Sequence, residues 1–140
     1  MIEIDNKTKF RPDEALLLKI ASKYTKKNIE LIVTDNAEIQ KLNKAYRGID
    51  KATDVLSFPY EKMKNAPLGT IVISVDKVEE VAENLGHTLN EEFTLLFIHG
   101  LLHLLGYDHE VDNGEMRSEE EKLIRALALP NSLIVRSEEV

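Results

Sequence analysis

The chain has 140 residues, of which 43% are hydrophobic and 31% are charged, and this composition excludes an intrinsically disordered segment. It contains no cysteine, which excludes both disulfide bonds and thiolate metal sites. The formal net charge of −7 argues against strong non-specific attraction to nucleic acid, so a nucleic-acid substrate would require a local basic patch.

Hydrophobic periodicity and turn residues divide the chain into predicted strands and helices. In order, these are a strand at 1–5, a helix at 12–24, a strand at 28–34, a helix at 35–47, strands at 54–58 and 68–75, and helices at 76–86, 89–105 and 115–129. Residues 60–67 are predicted to form a surface loop, and 131–140 are left unassigned. Because the third and fourth strands follow each other directly, we predict a mixed sheet of about four strands with about five helices, an α+β fold.

Capping residues indicate where three of these helices begin. Thr88 and Glu91 match the capping-box pattern at the start of the helix at 89–105. Asp76 is predicted to cap the helix that follows it, and either Thr34 or Asp35 the helix at 35–47.

The length of the chain predicts a single domain over residues 1–140. The first five residues lack the basic and apolar regions of a signal peptide. The apolar run around 95–105 is interrupted by His99, Gly100 and His103 and is too short to span a bilayer. We therefore expect a cytoplasmic protein without a membrane partner.

Three of the four histidines lie between residues 99 and 109. His99 and His103 are four residues apart and therefore share one face of a helix that is apolar nearly all round. Gly106 can end that helix in a left-handed conformation and turn His109 back toward the pair. Three neutral imidazoles with an open fourth position are typical of catalytic zinc, so we predict one Zn²⁺ per chain on His99, His103 and His109. The same ligands also accept nickel, cobalt or copper.

The spacing of these histidines and of Gly106 matches the zinc peptidases called metzincins, with one difference. Gly100 occupies the position of their catalytic glutamate, the group that takes the proton from the attacking water. Three neutral ligands also leave the dipositive charge of the metal ion uncompensated, which favours an anionic substrate such as a phosphodiester. The motif therefore indicates a metzincin-like metal site with a different chemistry.

The stretch 99–109 resembles the H-G-x-L-H-L-x-G-Y-D-H signature of the YbeY family of bacterial endoribonucleases. Residues 46–47 with 53–59, and residues 68–74, resemble two further blocks of that family. The resemblance implies a zinc-dependent, single-strand-specific endoribonuclease that acts in 16S ribosomal RNA 3′-end maturation and ribosome quality control. It also implies the ribosome or its small subunit as a partner and a functionally important arginine at Arg47. Thr70 departs from the family, which usually has aspartate at that position.

The surroundings and the chemistry of Arg47 also support a role in binding phosphate, independently of the resemblance. It follows a helix that carries Lys41 and Lys44 and precedes Lys51, which together form the best basic patch of an acidic chain. A guanidinium can bind two phosphate oxygens and stabilise the charge on a pentacoordinate phosphorus. Without the resemblance, a solvated helix end explains Arg47 equally well.

Four further residues have two interpretations each. Asp108 can orient a ligand histidine or cap the following turn, and Tyr107 can stack on a base or pack in the core. Asp54 can face a cleft or be an ordinary turn cap. Ser57 can face a cleft or be an ordinary strand hydroxyl.

Two other functions stay open at this stage. One is a metallohydrolase of another class, such as a peptidase or amidase. The other is a non-enzymatic ribosome assembly factor in which zinc stabilises the fold. The general base, the product ends and the oligomeric state also stay open, since a metal hydroxide and the 2′-hydroxyl of the RNA are both candidate nucleophiles.

Overall fold

The computed structural model describes residues 1–60, 66–108, 110–130 and 133. The elements in chain order are β1 (Ile2–Asn6), α1 (Glu14–Ser22), β2 (Ile29–Thr34), α2 (Asn36–Arg47), β3 (Val55–Pro59), β4 (Gly69–Ser74), α3 (Val75–Leu85), α4 (Leu89–Leu104) and α5 (Glu115–Ala126). The predicted α+β class and order of elements are confirmed. Most of the predicted loop at 60–67 and nearly all of the tail at 131–140 lie outside the described residues, and the single domain over 1–140 stays a prediction.

The sheet has the strand order β1-β2-β4-β3 and is mixed, as predicted. β1 and β4 both run parallel to β2, because a helix or long connection returns the chain to the same end of the sheet. β3 pairs antiparallel with β4 and forms one edge of the sheet.

Three helix ends show how far the predicted boundaries hold. Asp35 caps α2 by accepting the Glu38 N–H at 2.9 Å, which confirms one of the two predicted caps. The prediction that Asp76 caps α3 is wrong, since α3 begins at Val75 directly after β4. The Asp76 carboxylate instead accepts the backbone N–H of Asn36. α5 ends before the predicted residue 129, because Ala128 adopts a positive φ of 53°.

α4 is the central element of the fold. Thr88 and Glu91 form the predicted capping box at its start, with contacts of 3.1 and 2.7 Å. From Glu92 through Leu102 every residue is buried. α4 packs on one face of the sheet, while α2 covers the other face through a small core around Ile39 and Val72. Even so, none of the helices in the described ranges is long and apolar enough to cross a membrane.

Gly100 is a point of close approach between α4 and the sheet. A Cβ atom there would lie 2.9 Å from Cγ2 of Ile71 on β4 and 3.1 Å from Oγ of Ser57 on β3. The Ser57 hydroxyl donates a hydrogen bond of 3.1 Å to the Gly100 carbonyl. The glycine is therefore needed sterically, and a glutamate at this position would enter the sheet.

We expect Gly100→Ala to lower the free energy of unfolding by about 1–3 kcal/mol, because the added methyl overpacks a filled core. Urea denaturation of the single variants and of the double variant with Ile71→Ala measures the effect. The double variant should lose less stability than the sum of the losses in the two single variants, since Ile71→Ala removes the clashing methyl. A neutral Gly100→Ala, or strictly additive costs, would contradict this packing explanation.

Candidate functional site

His99 and His103 lie one turn apart in the second half of α4, with their side chains facing the same cleft. Their Nε2 atoms are 3.1 Å apart, and the rings meet edge to face at 78°. Two nitrogens at about 2.0–2.1 Å from one tetrahedral zinc ion lie about 3.3 Å apart. The pair therefore converges as two ligands of a single metal ion must.

A buried carboxylate stands behind this pair. Oε1 of Glu120 on α5 lies 2.7 Å from Nδ1 of His99, and the two residues are only 1% and 5% exposed. A carboxylate in this place accepts the Nδ1–H of the neutral imidazole, so the lone pair of the ring lies on Nε2, the nitrogen that faces His103. Glu120 thus selects the tautomer of His99 that can act as a ligand.

The sequence analysis missed Glu120, although the sequence contains a signal for it. The residue lies four positions after Met116 and three before Leu123, on the apolar side of α5. An acidic side chain on the buried side of an amphipathic helix must find a polar partner.

The third predicted ligand, His109, lies outside the described residues, 1–60, 66–108, 110–130 and 133. Within those ranges no three histidine, aspartate or glutamate side chains converge as a metal site. The turn that leads to His109 is formed as predicted, because Gly106 ends the helix with a φ of 102° and Tyr107 N–H donates to the carbonyl of Leu102.

A cleft of about 540 Å³ opens between the edge strand β3 and the end of α4. It brings together His99, His103 and Arg47, which contributes from the last turn of α2. The remaining lining residues are Thr53, Asp54, Val55, Leu56, Ser57, Pro59, Gly106, Tyr107, Asp108 and Glu110. Arg47 is therefore brought into one site with two histidines that are far from it in the sequence.

The predicted basic patch is reduced to one residue at this cleft. Arg47 lines it, whereas Lys41, Lys44 and Lys51 do not. The ammonium group of Lys44 lies 3.9 Å from the carboxylate of Asp50. Arg47 is consequently the only lysine or arginine among the described residues that line the cleft.

The residues with two interpretations are placed as follows. The Asp108 carboxylate accepts the Glu110 N–H at 3.0 Å, which favours its role as a turn cap. Tyr107 lines the cleft and also packs against the main core. Asp54 and Ser57 both line the cleft, but the Ser57 hydroxyl is bonded to α4.

Comparison with known proteins gives one consistent family. A family model described as Endoribonuclease YbeY matches residues 4–128. The Endoribonuclease YbeY of Sulfurimonas denitrificans is 61% identical over 138 residues, covering 99% of both chains. That of Nautilia profundicola is 57% identical over 139 residues, covering 99% of this chain and all of its own.

A solved structure agrees with the fold. The solution structure of TM1509 from Thermotoga maritima is 33% identical in sequence and has a TM-score of 0.63. The match covers 89% of this chain and 87% of that one.

Proposed function

Because the chain belongs to the YbeY endoribonuclease family, we propose that it cleaves phosphodiester bonds of single-stranded RNA within one domain spanning residues 1–140. The family resemblance and the endoribonuclease activity predicted from the sequence are confirmed by this membership, and RNA is the class of substrate. One observation carries the finer proposal, namely that a single cleft contains His99, His103 and Arg47. No relative named above supports a peptidase or an amidase.

The role in the cell follows from the same family. The enzyme acts in 16S ribosomal RNA 3′-end maturation and in ribosome quality control, with the small ribosomal subunit as its partner. It works in the cytoplasm. The support is the resemblance of residues 46–47, 53–59, 68–74 and 99–109 to the family's motifs.

The family is metal-dependent in general, and the finer proposal is one Zn²⁺ held by His99, His103 and His109. The convergent Nε2 atoms of the first two residues and the Glu120 carboxylate behind His99 support this assignment. His109 is included on its spacing and on the resemblance. When bound, the ion supplies a Lewis acid next to the scissile phosphate.

The charges of the cleft also favour a cation. Among its described lining residues, Asp54, Asp108 and Glu110 carry carboxylates, and Arg47 carries a positive charge. Three negative groups and one positive group would repel an RNA backbone. A dipositive ion held by the histidines would cancel this net negative charge and so remove the repulsion that an approaching phosphate meets.

Arg47 holds the phosphate. Its planar fork can bind two non-bridging oxygens at once, and these oxygens gain charge as the phosphorus becomes pentacoordinate. The nucleophile is either water or the 2′-hydroxyl of the RNA, and a 2′,3′-cyclic phosphate product would indicate the latter.

We expect His103→Ala to abolish both zinc retention and RNA cleavage, because one of the two convergent nitrogens is lost. Elemental analysis after dialysis measures zinc per chain, and gel assays compare single-stranded with duplex ribosomal RNA. Cleavage at the wild-type rate by His103→Ala would show that the nuclease activity belongs to a contaminant. Full zinc content in this variant would instead contradict the ligand assignment.

Arg47→Ala should lower kcat for RNA cleavage by about 100-fold, the usual effect of removing a group that stabilises transition-state charge. Its zinc content should equal that of the wild type, since Arg47 is not a ligand. Arg47→Lys should recover only part of the rate, because a lysine cannot bind two oxygens in a planar fork. Unchanged cleavage by Arg47→Ala would contradict a catalytic role of this arginine.

Glu120→Gln should weaken zinc binding by about 10- to 100-fold, because the ligand His99 loses a charged partner. Competition with a chromogenic chelator measures the affinity. Glu121→Gln is the matched control, since Glu121 is the next residue along α5 and pairs with Arg125 at the surface. Equal zinc affinities of the two variants would remove Glu120 from the site.

A further inference from the structure

Tyr46 is an unusually exposed aromatic residue. It occupies the last turn of α2, immediately before Arg47, and is 70% exposed. Within the described part of the chain its hydroxyl makes no hydrogen bond. The large ring of Tyr46 therefore faces water and is next in sequence to Arg47, the one lysine or arginine among the described residues that line the cleft, although Tyr46 itself does not line it.

The ring of Tyr46 is held in place from one side. Its centroid lies 5.2 Å from that of Phe58, and the two rings are tilted by 57°. Phe58 belongs to the edge strand β3 and packs against the small core beneath α2, while its neighbour Ser57 points to the opposite face of the sheet, where it bonds to α4 and lines the cleft. Tyr46 is thus positioned by a residue anchored in the fold, while most of its own surface stays open.

A second exposed aromatic residue, Tyr60, lies in a different environment. It is 42% exposed, and its hydroxyl bonds both to Glu30 and to Thr70, each at 2.8 Å. The Glu30 carboxylate repels a phosphate backbone at this point, whereas the neighbour of Tyr46 in the chain is the cation Arg47. Charge therefore favours Tyr46 over Tyr60 as a contact for RNA.

We propose that Tyr46 is a stacking platform for an unpaired base of the RNA whose phosphate is held by Arg47. Unpaired bases expose faces that stack on aromatic side chains, and such stacking tolerates any base. The bases of a duplex are already stacked on each other and cannot reach the ring. Tyr46 thereby contributes to the selection of single strands, an inference that rests on the proposed function.

Kinetics of the holoenzyme provide the first test. Tyr46→Ala raises KM for a single-stranded oligoribonucleotide on the order of tenfold, while kcat changes little, because the ring binds the substrate away from the reacting phosphate. Tyr46→Phe keeps the ring and recovers most of the lost affinity. Equal losses in Tyr46→Ala and Tyr46→Phe would mean that the hydroxyl matters, and would overturn stacking.

Fluorescence provides a second test that is independent of activity. The chain has no tryptophan, so Tyr46→Trp introduces a single tryptophan at the proposed platform, whose emission can be excited selectively. Single-stranded RNA quenches its emission, whereas a duplex of the same sequence does not. Tyr60→Trp is the matched control and keeps its emission with either RNA.

The outcomes separate this inference from the function on which it rests. An unquenched Tyr46→Trp, together with an unchanged KM in Tyr46→Ala, overturns the platform, while cleavage of single-stranded RNA by the wild type leaves the proposed function standing. If the wild type neither binds nor cleaves single-stranded RNA, the proposed function fails and the platform fails with it.

Discussion

The close contact between Gly100 of α4 and the strands β3 and β4 is the constraint on which the site depends. The helix can approach Ile71 and Ser57 this closely only because residue 100 has no side chain. His99 precedes this contact and His103 follows it by less than one turn, so the same packing that completes the core places both imidazoles against the edge strand. Two of the three proposed metal ligands are therefore positioned by the core, which is rigid, rather than by a loop.

A nearly apolar helix can carry these polar groups because each of them has a partner. Nδ1 of His99 contacts Glu120, which lies 21 residues further along the chain on α5. Nε2 of His99 faces His103. A carboxylate that is buried as deeply as Glu120 and has no partner would lower the stability of the fold by several kcal/mol. The hydrogen bond to His99 offsets part of that loss. A cation on the far side of the imidazole adds a further favourable interaction with the same carboxylate.

The recognition of RNA by this chain is local. The protein carries a net charge of −7, and Lys44 lies next to Asp50 instead of facing the cleft. Long-range attraction of a polyanion is consequently weak, and binding depends on groups within contact distance of the phosphate and of the base. Such an arrangement favours substrates that can expose individual nucleotides, which single strands do and duplexes do not.

The sequence by itself determined the order of elements, the mixed sheet, the capping box at Thr88, the turn at Gly106 and the convergence of His99 with His103. Most of these depend on residues within a few positions of each other, so periodicity and spacing encode them, and the mixed sheet follows from two strands that succeed each other without a helix between them. Tertiary structure alone decided that β4 lies between β2 and β3, that Glu120 stands behind His99, and that Arg47 is the cation that reaches the cleft. It also gave Gly100 a steric role that its place in the motif had not indicated. These features join residues that are distant along the chain, and only packing determines which of them meet.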